Sequence, residues 1–255
     1  MIPKIIHYCW FGGKELPKSA QDCIQSWKKF CPDYEIKRWD ESNVDLEENI
    51  FVQQAYAAKK YAFVSDYFRF KILEENGGIY LDTDVELIKN IDALLSDDMF
   101  MGFEKIHDRV TGVAPGLIIG AIPHNHIMKY MVEHYNGIPF ANDQGEKVAQ
   151  SVVVYMTDYL IEKGLKMIDQ MQVVDGMKIY PSSYFCPKDY ETGEIHIVEN
   201  TYSIHHYDST WWSPRALYLK KLTEKYGKKK GHILYRISLP FNFKLWWEVL
   251  REKKP

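Results

Sequence analysis

Three carboxylates and a guanidinium, Asp66, Arg69, Asp82 and Asp84, fall close together in this chain, and their spacing suggests that they work as a set. Asp82 and Asp84 are two residues apart, so in an extended segment both side chains leave on the same side. Such a pair repels unless positive charge lies between its members, and a divalent cation that prefers oxygen supplies it. Held by few protein ligands, magnesium or manganese keeps positions open for the oxygens of a nucleotide diphosphate. An isolated Asp-x-Asp is more simply a solvated turn, so the reading rests on what surrounds it.

The elements that must position these groups are visible on either side. Over 63–76, Phe63, Tyr67, Phe70 and Leu73 recur at the three- and four-residue intervals of a buried helical face. Asp66 and Arg69, three apart, share another face of that helix. Gly77-Gly78 ends it, since glycine readily takes the backbone conformation of a C-terminal cap. Residues 79–81 then form a brief core strand that delivers Asp82 and Asp84. Upstream, 2–10 reads as a first strand closed by the turn Phe11-Gly12-Gly13, with His7 as a structural residue inside it. Trp10 at its end is either core or a ring offered to a ligand.

Ser65-Asp66-x-x-Arg69 followed by Gly77-Gly78-x-Tyr80-x-Asp82-x-Asp84 resembles the sugar-nucleotide core of family 32 glycosyltransferases. That group includes capsular polysaccharide transferases and yeast-type initiating mannosyltransferases, and the segment is more distantly similar to the glucosyltransferase domains of large clostridial toxins. The run from Ile5 to Gly12 is also similar to the family's opening, which implies that Trp10 stacks on the nucleotide base. His205-His206-x-x-x-Thr210-Trp211 resembles the His-His-x-x-x-Ser-Trp that ends the family's catalytic core, with threonine keeping the serine hydroxyl. The resemblance implies Mn2+ or Mg2+, a nucleotide-diphospho-sugar donor (a UDP-sugar favoured over a GDP-sugar), a glycan or lipid-linked glycan acceptor, and retention of anomeric configuration. It makes Asp84 the direct metal ligand, with Asp82 acting through water or the ribose and Asp66 on ribose hydroxyls. Arg69 shields phosphate charge or fixes Asp66, and Tyr80, Thr210 and Trp211 join the donor site. Imidazole suits manganese-like ions, but alternation lets only one of His205 and His206 face the site, and the sequence does not choose between them.

The chain has 255 residues and a net charge of −3, enough to bury a substantial core and without a global field that would select nucleic acid. Aromatic residues make up 15%, a supply that suits both core packing and the stacking of bases and sugars. Cys9, Cys23, Cys31 and Cys186 form no C-x-x-C pair and read as reduced thiols. The sequence shows no secretory leader and no apolar run of the roughly 20 residues that span a bilayer, so a cytoplasmic location is expected.

Strand and helix patterns alternate along the chain: a helix capped by Ser19 to about residue 30, a strand over 34–39, a polar loop over 40–48 and a helix over 50–60. After the carboxylates come 85–87 as strand, a short helix at 91–95 and buried strands at 99–103 and 116–120. A polar loop over 105–115, with Glu104, His107, Asp108 and Arg109, is either an acceptor wall or a mobile surface loop. Helices over 125–135 and 146–163, the second preceded by Asn142-Asp143-Gln144-Gly145 as its cap, and strands at 177–180 and 195–198 complete the core. The fold class is α/β, a mostly parallel sheet with helices on both faces, organised as a GT-A-like catalytic domain over 1–212 and a helical, basic and aromatic tail over 213–255. A helix is expected over 215–226. Lys228, Lys229, Lys230, Lys253 and Lys254, together with Phe241, Phe243, Trp246 and Trp247, suggest loose peripheral contact with an anionic membrane. The rival functions are a nucleotide-sugar hydrolase or phosphotransferase, which would release free sugar, and a carbohydrate- or membrane-binding module, for which the Asp-x-Asp has no purpose.

Overall fold

A computed structural model describes residues 1–107, 109–190, 192–208 and 214–238. The chain divides into two compact units, one of Met1–Lys188 with His196–His206 and one of Asp189–Ile195 with Tyr207–Pro255. In the first, β1 (Ile5–Cys9), α1 (Lys18–Phe30), β2 (Glu35–Trp39), α2 (Ile50–Ala57), α3 (Tyr61–Asn76) and β3 (Gly78–Tyr80) lead to β4 (Val85–Leu87). There follow β5 (Met99–Ile106), β6 (Arg109–Val113), β7 (Ile119–Ala121), α4 (His126–Asn136), α5 (Val152–Glu162), β8 (Gln172–Val174), β9 (Met177–Tyr180), α6 (Ser182–Phe185) and β10 (Ser203–His205). The described part of the second unit is built on α7 (Pro214–Tyr226) and α8 (Lys228–Ser238).

The main sheet has the order β2-β1-β3-β7-β5-β9-β8, with β6 paired to β5. Pairing of β2, β1 and β3 is parallel, as is that of β5 and β9, while β7 joins the two groups antiparallel to both. β1, β2, β3, β5 and β9 therefore share one direction and only β6, β7 and β8 oppose it, so the sheet is mostly parallel, as expected of a strand–helix alternation. α3 packs against β1, β3, α2 and α4 and is buried nearly all round. Val64, Tyr67, Phe68, Phe70, Ile72 and Leu73 are all buried along it. At about 1.5–3 kcal/mol each, these six side chains offset the several kcal/mol per ion needed to bury Asp66 and Arg69 on the same helix.

The turn that ends α3 admits only glycine. Gly77 has φ +62°, and a Cβ there would lie 2.6 Å from Pro123 Cδ. Gly78 has φ +103°, and a Cβ would lie 2.8 Å from the Ile5 carbonyl oxygen and 3.0 Å from His7 Nε2. His7, fully buried, fastens this turn. Trp39 Nε1–H donates to His7 Nδ1 at 3.0 Å, which leaves Nε2–H to donate to the Gly77 carbonyl at 3.0 Å. Burial lowers His7 from 6.5 to about 4, so the folded ring stays neutral where the unfolded one is protonated. The stability it contributes is present above about pH 6.5 and is lost as pH falls toward 4. We expect the imidazole signals of His7 to show the neutral Nε2–H tautomer at pH 5 by NMR, and a titration near 6.5 would contradict the assignment.

Several boundaries differ from expectation for local reasons. α1 is entered at Pro17, whose φ of −63° suits a helix start, so Ser19 lies inside the first turn and caps nothing. The expected loop after residue 104 is a β5–β6 hairpin, and Asp108 lies outside the described residues. α5 begins only at Val152, with Ser151 Oγ accepting from Val154 N, because the Asn142 side chain instead accepts from Gln144 N and Glu146 N and closes a turn. Residues 195–198 form no strand, and the basic run at 228–230 opens α8, a second helix within the tail. All four cysteines are buried; burial pushes Cys9 up to about 12 and Cys31 up to about 11, which keeps both protonated and inert.

Candidate active site

The carboxylates stand where β3 ends and β4 begins, next to the end of β1 that carries Trp10. β4 is held from two sides. From α1, Trp27 Nε1–H donates to the Val85 carbonyl at 2.7 Å, and Ser26 Oγ accepts from Leu87 N at 2.9 Å. From the other side β10 pairs antiparallel with β4, setting His205 opposite Val85, and His206 N donates to the Asp84 carbonyl at 2.9 Å. This ladder settles what alternation left open. His205 Nε2 lies 3.2 Å from Asp84 Oδ1, whereas the His206 ring turns away and pairs with Glu86 Oε2 at 2.8 Å. His205 and His206 thus face opposite sides, as consecutive strand residues do, and of the two it is His205 that lies beside Asp84.

Behind the carboxylates Arg69 is the hub. Its Nη2 lies 2.8 Å from Asp66 Oδ1 and 3.3 Å from Asp82 Oδ1, its Nε–H donates to the Ser65 carbonyl, and its guanidinium sits 5.0 Å over the Tyr80 ring. Its side chain is only 4% exposed and lies against both carboxylates. Tyr80 is fully buried beneath it. Trp10 is half-buried, its Nε1–H donating to the Lys14 carbonyl at 2.7 Å. Thr210 and Trp211 lie outside the described residues.

Charge in the site is finely opposed. Burial raises Asp66 to about 6, with Arg69 pulling against it. Burial raises Asp82 too, Arg69 opposing and Asp84 adding to the rise. For His205 burial lowers the pKa, but Asp84 and then Asp82 outweigh it and the net shift is upward. Two carboxylates and an imidazole thus converge in a place where positive charge is favoured. One ligand atom from each of Asp82, Asp84 and His205 lies within 4.8 Å of the others. Carboxylate oxygens with one imidazole form a donor set that fits a divalent ion of the manganese or magnesium kind.

The sequence reasoning missed Gly116, in the turn between β6 and β7. A Cβ there would lie 2.6 Å from Asp82 Oδ2 and 3.7 Å from Arg69 Nη1, so its bare backbone makes room for the Asp82 carboxylate. Gly116 was expected to open a buried strand over 116–120, whereas β7 begins only at Ile119, and nothing local ties Gly116 to Asp82.

Residues 17–101 match the family model described as a glycosyltransferase sugar-binding region containing a DXD motif. Asp66, Arg69, Asp82 and Asp84 lie inside this region, while Trp10 and His205 lie on either side of it. Relatives of the chain are glycosyltransferases. One, itself uncharacterized, from Acanthamoeba polyphaga mimivirus, is 24% identical over 216 residues, 80% of this chain and 83% of that protein. Another, inositol phosphoceramide mannosyltransferase 3 of Schizosaccharomyces pombe, is 33% identical over 100 residues, 37% of this chain and only 27% of that longer protein. Among solved structures, the PaToxG glycosyltransferase aligns at 19% identity with a TM-score of 0.46, covering 64% of this chain and 70% of that one.

Proposed function

We propose that this glycosyltransferase moves a sugar from a nucleotide-diphospho-sugar, a UDP-sugar in preference to a GDP-sugar, to a hydroxyl of a glycan or lipid-linked glycan. The setting we propose is polysaccharide assembly on the cytoplasmic side of a membrane. The observation that carries the reading is the convergence of Asp82, Asp84 and His205 beside the Asp66–Arg69 pair at the end of β3. Asp84 and His205 would hold Mn2+ or Mg2+, with Asp82 bound directly or through water. Such an ion supplies positive charge against that developing on the leaving diphosphate. The protein's own part is positional. Arg69 holds Asp66 and Asp82 apart from each other's charge, Asp66 accepts from ribose hydroxyls, and Trp10 stacks on the base. In the retaining, front-face course we favour, the bond from the anomeric carbon to the diphosphate breaks, the acceptor oxygen bonds on the same face, and its proton passes to the departing diphosphate.

A screen of nucleotide sugars by thermal shift tests the donor assignment. With Mn2+ present, the cognate donor at a hundred times its dissociation constant should add about 2.7 kcal/mol of stability. A shift of the same size in chelator, or none for any donor, would remove the assignment.

Gly116→Ala gives a sharper test of how the site is built. Gly116 is outside the left-handed region, so alanine is not disfavoured by backbone conformation, and its Cβ crowds Asp82 Oδ2 while making only ordinary contact with Arg69 Nη1. We expect Mn2+ affinity, read by the paramagnetic resonance of the free ion, to fall about 10–100-fold, the range for disturbing groups that orient metal ligands. Unchanged affinity would show that Asp82 has room to spare.

A further inference from the structure

The net charge of −3 conceals a strong asymmetry: the chain after His206 holds 12 Lys and Arg against 4 Asp and Glu, whereas the part up to His206 holds 20 against 31. α8 shows how part of that positive charge is displayed. Gly231 brings its backbone against α7, where a Cβ would lie 2.6 Å from Thr223 Cα. Tyr235, one turn on, is buried against Tyr218, with ring centroids 6.1 Å apart, and the Tyr218 hydroxyl donates to Ser238 Oγ at 2.9 Å. Residues 231, 235 and 238 thus make the inner face of the hairpin, at the spacing of one helical stripe.

The outer face carries an apolar stripe among its charges. Ile233 and Ile237 are 58% and 60% exposed and Leu234 is 36% exposed, at the i, i+1 and i+4 positions of one stripe. Exposed Lys229, Lys230 and Arg236 flank it. Single exposed aliphatics are normal, but a stripe of them bordered by cations is the pattern of a helix lying in a membrane interface. We propose that the outer face of α8 is a docking surface for an anionic lipid bilayer, the aliphatic stripe entering the acyl boundary while Lys229, Lys230 and Arg236 meet lipid phosphates. Charge complementarity selects an anionic partner, and the aliphatic stripe selects lipid over nucleic acid, whose phosphate backbone offers it nothing to bury against. Among the described residues no helix is long and apolar enough to cross a membrane, so the contact is peripheral. The expectation of membrane contact from the sequence leaned largely on residues beyond 238, which lie outside the described residues, and α8 gives it a defined surface.

The test is co-sedimentation of the full chain with phosphatidylcholine vesicles with and without phosphatidylserine, in the absence of donor. Binding should require phosphatidylserine and be released by salt. Ile233→Asn with Ile237→Asn, and separately Lys229→Glu with Lys230→Glu and Arg236→Glu, should each lower partitioning at least about tenfold, with helix content and donor-induced thermal shift unchanged. Equal binding to neutral vesicles, or indifference to either variant, would overturn the proposal. So would equally tight retention of both the parent chain and the isoleucine variant on duplex RNA, which would assign the face to a polyanion. Because vesicle binding and donor binding are read separately, loss of one leaves the other standing.

Discussion

Asp84→Asn is expected to lower the rate of sugar transfer at least about a hundredfold while leaving the protein folded. The two side chains have nearly the same shape, so no cavity opens, and the backbone carbonyl of Asp84 still accepts from His206 N. What is lost is one of the two negative charges that would hold a cation in the cluster with His205. Mn2+ binding and transfer should therefore fall together, while the thermal transition measured in chelator changes little. Full activity in this variant would remove Asp84 from the metal site.

Arg69→Met should act on the fold instead. Methionine keeps much of the length of the side chain but leaves Asp66 and Asp82 without the cation that lies 2.8 Å from one and 3.3 Å from the other. Breaking a buried pair by removing one partner costs about 3–5 kcal/mol, far more than a surface ion pair contributes, and urea denaturation should show a loss of that order. Adding Asp66→Asn should recover part of it, since the remaining partner is then neutral. Equal stability of the Arg69→Met variant and the parent would mean that the carboxylates are reached by water and that Arg69 is no hub.

How much of this could be read from the sequence depended on how local each cause is. Gly77-Gly78 and Asp82-x-Asp84 were legible because backbone conformation and side-chain alternation are set within a few residues. α3 was found by its one-sided stripe, yet Val64, Phe68 and Ile72 are buried as well, because α2 and α4 cover what the stripe leaves over. Arg69 is buried on the same helix, its side chain only 4% exposed. The choice of His205 over His206 was not legible, since it depends on β10 pairing with β4 from far along the chain, and such pairing leaves no trace in either segment alone. Gly116 escaped for a similar reason: its missing side chain matters only because Asp82 arrives beside it in space. Likewise Trp27 reads as an ordinary core residue of α1, and only the structure shows its indole holding Val85 in place beside Asp84.

The account stands most directly on what happens to the sugar. Incubation with a labelled nucleotide sugar, Mn2+ and a panel of alkyl glycosides as acceptors, followed by separation of free sugar from glycoside, measures this in one experiment. The account predicts label in a new glycoside with the donor's anomeric configuration, absent when the cation is chelated. Label recovered only as free sugar, or glycoside formed equally well in chelator, would contradict it.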